Sequence, residues 1–371
     1  MPDPAARNRK SLKKRVDKRA AAAASRDMSK LSPSLKALIN APFARPGQAP
    51  APRHIRDVYT RIAHEARERR YGERPWVTLS AAATFTLNSP ASLLVLHELA
   101  PGLSGGVLSP LAAAELIREV GLKCISFNGI PRTINCLGAF RAGVAHHPWA
   151  ADLAARAPSR EVTPAALPAV DARGRALWHS VYTPFDDKLV AKLADSHPDL
   201  PVHILGSHYG PLLSDPPRPR SGTAPASSPS SPSSPSSPSS LPPPAEATVG
   251  RNLTSVVAVA CLRAQTGVGP QVLSHVFGLR KGVEQGAHRD EAAAALGPER
   301  GPAEADGLER LASDEGCEWL LRSVDAIAEA VGPSFARWDG EGQGEGKSQG
   351  QGKSENGSES EGEGGKEKAK L

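Results

Sequence analysis

His97 and His275 are the two residues whose settings most suggest proton-transfer chemistry. Each stands alone in an apolar helical stretch: Val95 and Leu96 precede His97, and Val276 follows His275. An imidazole titrates near neutral pH and can give or take a proton during a reaction. The same setting also suits a histidine satisfied inside a core, so both readings stand at this level. Asn128, Arg132 and Gln271 are the nearby polar residues able to hold an anionic or carbonyl substrate. The competing places are a helix C-cap for Asn128 and a solvated first-turn charge for Arg132. His203 and His208 flank a Gly-Tyr turn. Their spacing is not the i,i+4 spacing of a helical zinc pair, and no acidic third ligand is placed beside them. His146 and His147 lie in a loop before Pro148.

Thiol chemistry requires a low-pKa thiolate beside a partner thiol. The four cysteines, Cys124, Cys136, Cys261 and Cys317, have no close pairing. Cys124 and Cys136 are separated by a Gly-x-Pro break rather than by the two residues of a CxxC. Buried structural thiols in a reducing, intracellular compartment are expected. None of the spacings makes a zinc site, and no Walker loop, Rossmann glycine set or Gly-x-Ser-x-Gly elbow occurs, so neither a metal nor a cofactor is expected.

The elements that must position these residues read as helices. Ala, Leu and Val dominate the regular stretches and aromatic residues make up only 4%, which favours helix over strand. From His54 to Arg70, the residues Ile55, Val58, Ile62 and Ala66 recur at helical spacing, with charges on the other face. Ser109 is an N-cap and Pro110 a first helical residue, predicting a helix through Phe127 that stops at Asn128-Gly129. Gly129 and Pro131 make the turn into a second helix carrying Ile134, Leu137 and Phe140. Further helices are predicted over Asp187 to Ala194, from Arg251, and over Glu315 to Val331. The stretches from Thr78 to Ala100 and from Thr254 to Leu279 share one plan: a small-residue apolar helix, a turn with a proline, and a shorter helix with one histidine.

Composition divides the chain further. Residues 1–50 read as a flexible tail, basic in RNRKSLKKRVDKR from Arg7 to Arg19, which carries most of the excess behind the net charge of +6. Such a run suits a solvated tail, a nuclear-localisation signal, a nucleic-acid patch or an organelle-targeting segment, so nucleus, mitochondrion and cytosol all stay open. A first compact unit is expected over 51–144, a connection over 145–177, and a second unit over 178–283 and 308–337. A Ser/Pro insert at 216–244, a polar insert at 286–307 and the Gly/Glu/Lys/Ser tail at 338–371 have the composition of disorder. No run approaches the roughly 20 apolar residues of a membrane span.

The order of a His-bearing helix, a helix, Gly-x-Pro and a helix resembles the carboxymuconolactone decarboxylase and alkylhydroperoxidase D-like (AhpD-like) superfamily, particularly fungal-type members. Phe127, Gly129, Pro131, Asn135, Leu137 and Arg141 stand where that family closes its unit. The resemblance covers about 76–144 and 178–282, with HPDLPVHILGSHYGPLLSDP from His197 matching the family's helix and tyrosine-glycine turn. It implies an all-α fold of two AhpD-like units, homo-oligomers and a small-molecule ligand, with His97 and His275 lining the pockets. The family's redox members use Cys-x-x-Cys, then x-x-x-His, with an upstream Glu. Here the cysteine places hold Val268 and Gln271 before His275, and Pro90 and Leu93 before His97. The Glu places hold Thr78 and Ser255 or Val256. The expectation is therefore a non-redox member acting as a binding or assembly module. The alternatives are a decarboxylase- or hydroperoxidase-type enzyme using His97 and His275, and a nucleic-acid-associated protein acting through its basic tail.

Overall fold

The computed structural model describes residues 31–216 and 242–332. Among these residues every regular element is a helix: α1 Pro33–Ile39, α2 Ile55–Glu68, α3 Glu73–Thr86, α4 Pro90–Leu103, α5 Pro110–Lys123, α6 Ile125–Asn128, α7 Ile130–Gly143, α8 Ala150–Ala154, α9 Leu167–Tyr182, α10 Asp186–Ser196 and α11 Asp199–His203. A π-helical turn follows over Ile204–Leu213. The remaining helices are α12 Arg251–Gln265, α13 Gly269–Glu284, α14 Ala287–Leu311 and α15 Asp314–Val331. The basic run from Arg7 to Arg19, most of the Ser/Pro insert and the C-terminal tail lie outside the described residues.

Two helices with no solvent face make the centre. Every residue from Arg74 to Thr86 on α3 is buried, and so is every residue from Asn252 to Leu262 on α12. Helices apolar on all sides must be surrounded, and small residues let their backbones approach. Ala81, Ala82 and Ala83 on α3 and Val256, Val259 and Ala260 on α12 all belong to the core, and the two helices pack on each other. Each runs into a helix with proline in its first turn, α4 after α3 and α13 after α12, and each of those buries one histidine. The amphipathic α2 and α15 cover the core with Ile55, Tyr59 and Ile62, and with Leu320, Val324 and Ile327.

Burying the start of a helix leaves N–H groups that need acceptors. Here both central helices take them from α14. Glu291 accepts from the backbone N–H of Asn252 at 2.6 Å and of Leu253 at 3.2 Å, at the start of α12. Glu304 accepts from the N–H of Glu73 at 3.2 Å at the start of α3 and lies 3.7 Å from the buried Arg74 guanidinium. Burial raises the pKa of both carboxyls, and Arg74 opposes the rise. This corrects the expected polar insert at 286–307, which is helical and packed. It reads as polar because its buried positions include carboxylates used as caps. The left-handed Gly297 (φ 71°) and Pro298 break its apolar periodicity.

Three other expectations are corrected. The 1–50 tail contains α1 within 31–50. The connection at 145–177 contains α8 and the first eleven residues of α9. The single helix expected from Ser109 to Phe127 breaks at Cys124 into α5 and α6. Ser109 caps α5 by accepting from the Ala112 N–H at 3.1 Å.

The flanks of the Ser/Pro insert are held by a buried lysine at the end of α5. Lys123 Nζ donates to Leu213 O and Asp215 Oδ1 at 2.8 Å, and to Val249 O and Thr254 Oγ1. Removing one partner of a buried, fully bonded charge costs about 3 kcal/mol or more. Lys123→Met is predicted to lower the free energy of unfolding by about that amount, checked by urea denaturation. A loss below about 1 kcal/mol would show that the anchor is dispensable.

Candidate functional site

His97 sits in a filled place. Its Nε2 is 3.0 Å from the carbonyl oxygen of Pro110 at the start of α5. Its ring is packed by Trp149, Phe140 and His147 at centroid distances of 5.3, 5.6 and 5.9 Å. Burial, more than any neighbour, lowers its pKa. This is the arrangement of a histidine that joins α4 to α5 and packs among aromatic rings.

His275 is set differently. Its Nε2 is 3.4 Å from the Tyr182 hydroxyl, and the Tyr209 hydroxyl donates to that of Tyr182 at 3.1 Å. Phe127 meets the imidazole edge-on at 5.8 Å. Nδ1 is buried without a partner among the described residues. With Tyr182 donating to Nε2, Nδ1 carries the proton and is an unmatched donor. Burial and the neighbouring Arg251 push the His275 pKa down to about 4. Burial raises both tyrosines. At neutral pH the cluster is therefore a chain of uncharged groups, Tyr209 to Tyr182 to His275.

Local structure explains how these side chains meet. Trp178 and Tyr182 lie one turn apart on α9, and Tyr209 comes from the π-helical turn. The two elements touch at backbone level. A Cβ added to Gly174 would fall 2.6 Å from Gly210 Cα, so a larger residue there would force the two elements apart. Arg251, whose pKa burial lowers to about 10, joins α9 to α12 and α13. It bonds Ser180, Ser255 Oγ at 2.7 Å and Gly278 O at 2.8 Å.

The short α6 separates this cluster from a thiol cluster. Phe127 faces His275, while the next residue, Asn128, accepts from Thr86 Oγ1 at 3.2 Å and points Nδ2 at Cys261 Sγ, 3.6 Å away. Arg132 donates to the Thr86 carbonyl oxygen. Asn128 and Arg132 thus converge on the end of α3 rather than on solvent. Gly129 (φ 77°) makes the turn between them, with Pro131 in the first turn of α7. Gln271 is exposed on the first turn of α13.

Cys261 Sγ is 3.5 Å from Cys124 Sγ, although the residues are 137 apart in the chain. That pairing was invisible to a spacing rule. Burial raises the Cys124 pKa and pushes Cys136 up to about 12, so both stay protonated and poorly nucleophilic. Two surface hollows of about 400 and 410 Å³ lie elsewhere, along α2 and α15 and at the α12–α13 turn. Neither is lined by His97, His275, Asn128, Arg132 or Gln271. Among the described residues no three His, Cys, Asp or Glu side chains gather as a metal site.

The low pKa of His275 has a consequence for stability. The folded value lies below the unfolded one, so the unfolded chain binds more protons between about pH 6.5 and 4. The contribution is complete above pH 6.5 and falls away as pH drops to about 4, a loss of about 3 kcal/mol. The raised carboxyls Glu291 and Glu304 act in the opposite direction. The test is therefore a difference: between pH 7.5 and 4.5, wild type should lose stability relative to His275→Gln, followed by chemical denaturation. Parallel profiles for the two proteins would show that His275 is not held neutral by the fold.

Comparison with protein-family models, with curated proteins and with solved structures finds no match.

Proposed function

We propose that the chain is a non-enzymatic helical module, a divergent non-redox relative of the AhpD-like proteins, that works by assembling with a second copy of itself. The carrying observation is apolar surface left uncovered on helices that are otherwise packed. On α7, Ile130 is 58% and Ile134 64% exposed, one turn apart; on α13, Leu273 is 46% and Phe277 48% exposed. α6 runs directly into α7 and meets α13 on its His275 side, through Phe127, leaving the Leu273 and Phe277 side of α13 uncovered. Paired apolar residues outside a core mark interaction surfaces more than isolated ones do.

The second copy is favoured as occupant by the N-terminal arm. α1 buries none of its residues and exposes Leu35, Leu38 and Ile39, with Phe43 exposed beyond it. The arm joins the body beside α7, where Gln48 Nε2 donates to Asn135 O at 3.5 Å and the Ala49 N–H to Asn88 O at 2.9 Å. An uncovered apolar arm and an uncovered apolar helix face on one chain suit an exchange of arms about a two-fold axis. Covering each half-exposed side chain contributes about 1 kcal/mol.

The enzymatic alternative, with His97 and His275 transferring protons, has less support. His97 is walled by aromatic rings, His275 is held neutral, and burial keeps the Cys124 and Cys136 thiols protonated. Binding of a small molecule beside His275 has the unmatched Nδ1 donor in its favour. The residues on which a nucleic-acid role or a compartment would depend, Arg7 to Arg19, lie outside the described residues.

Sedimentation velocity is expected to show a concentration-dependent dimer. The double variant Ile134→Glu/Phe277→Glu should weaken it more than tenfold while melting as wild type does at dilutions where both are monomeric. A monomer at all concentrations, or a dimer indifferent to both charges, would overturn the reading. Assayed with hydroperoxide and a dithiol reductant, the protein should be inert. Turnover abolished by Cys124→Ser would restore the thiol-enzyme alternative.

A further inference from the structure

A π-helical turn changes which side chains share a face. Its hydrogen bonds run i→i+5, so positions five apart come one above the other. The turn over Ile204–Leu213 begins directly after His203 and contains His208. The spacing that fails for an α-helical zinc pair is thus the spacing this backbone brings together. The two imidazole centres lie 5.2 Å apart, with the rings at 82°.

Both rings are oriented from behind. His203 Nδ1 is 3.0 Å from Ser207 Oγ, and His208 Nδ1 is 3.0 Å from Ser126 Oγ on α6. With each Nδ1–H donating to its serine, each Nε2 keeps a free lone pair. Outer hydrogen bonds of this kind fix the tautomer and orientation of metal-binding histidines. An ion bound tetrahedrally at about 2.0–2.1 Å from each Nε2 would hold the two ring centres about 5 Å apart, as they are here. His203 is exposed and His208 half-buried, so the pair opens to solvent.

We propose that His203 and His208 form a two-histidine binding site for a divalent transition-metal ion of the zinc class. Imidazole nitrogens suit zinc, copper and nickel rather than calcium or magnesium. No third protein ligand joins the pair among the described residues, so the remaining positions belong to water or to an incoming ligand. That is an open site rather than a closed structural one. Ser126 lies next to Phe127, so an ion here would brace the π-helical turn against the element that covers His275. The site does not depend on self-assembly.

The test is calorimetric titration of the full chain with Zn²⁺. One equivalent is expected to bind. His203→Ala and His208→Ala should each weaken binding at least thirtyfold, and Ser126→Ala about tenfold through loss of the orienting bond. His146→Ala/His147→Ala should leave it unchanged. The proposal is overturned if wild type binds no Zn²⁺ at millimolar concentration, or if His203→Ala/His208→Ala binds it as wild type does. A second measurement needs no variant. Zn²⁺ should protect His203 and His208 of the wild-type chain from diethylpyrocarbonate, read by mass spectrometry, and equal modification with and without the ion would equally overturn the site.

Discussion

The fold depends on satisfying the N-termini of two helices that show little of their length to water. α3 and α12 are buried along almost their whole lengths, so their first N–H groups cannot be solvated. Glu304 and Glu291 on α14 supply the acceptors. A negative charge at a helix start is also favoured by the helix dipole. Burial raises the carboxyl pKa values, so each cap works against its own desolvation, and Arg74 offsets part of it for both carboxyls. This constraint places α14 across both central helices and thereby fixes where α13 and α15 can pack.

The same demand for satisfaction absorbs most residues that looked chemically able. His97 bonds a carbonyl and packs on rings. Arg132 and Asn128 bind the end of α3. Lys123 gathers four oxygens around the flanks of the Ser/Pro insert. Arg251 staples α9 to α12 and α13. Burial keeps the Cys124 and Cys136 thiols protonated. Among the large apolar side chains left exposed are those of the α1 arm and of the α7 and α13 faces.

Much of the architecture was legible in sequence where local rules apply. The 3.6-residue period marked α2 and α15, and the Ser109-Pro110 cap marked α5. The shared plan of apolar helix, proline turn and His-bearing helix marked α3–α4 and α12–α13. Four features were not legible, each for a physical reason. α14 hid because its buried positions include Glu291 and Glu304, which a hydropathy pattern counts as surface. The histidine pair in the π-helical turn hid because its spacing belongs to a helix type that composition does not announce. The Cys124–Cys261 contact and the tyrosine chain to His275 hid because tertiary packing alone brings them together.

The central claim is that the uncovered faces of α1, α7 and α13 are where this protein meets another copy. Hydrogen–deuterium exchange of the full chain, read by mass spectrometry over a hundredfold range of concentration, tests it most directly. Peptides covering Pro33–Ile39, Ile130–Gly143 and Gly269–Glu284 should gain protection as concentration rises, while those covering α3 and α12 stay equally protected throughout. Protection independent of concentration in all three outer segments would contradict the account.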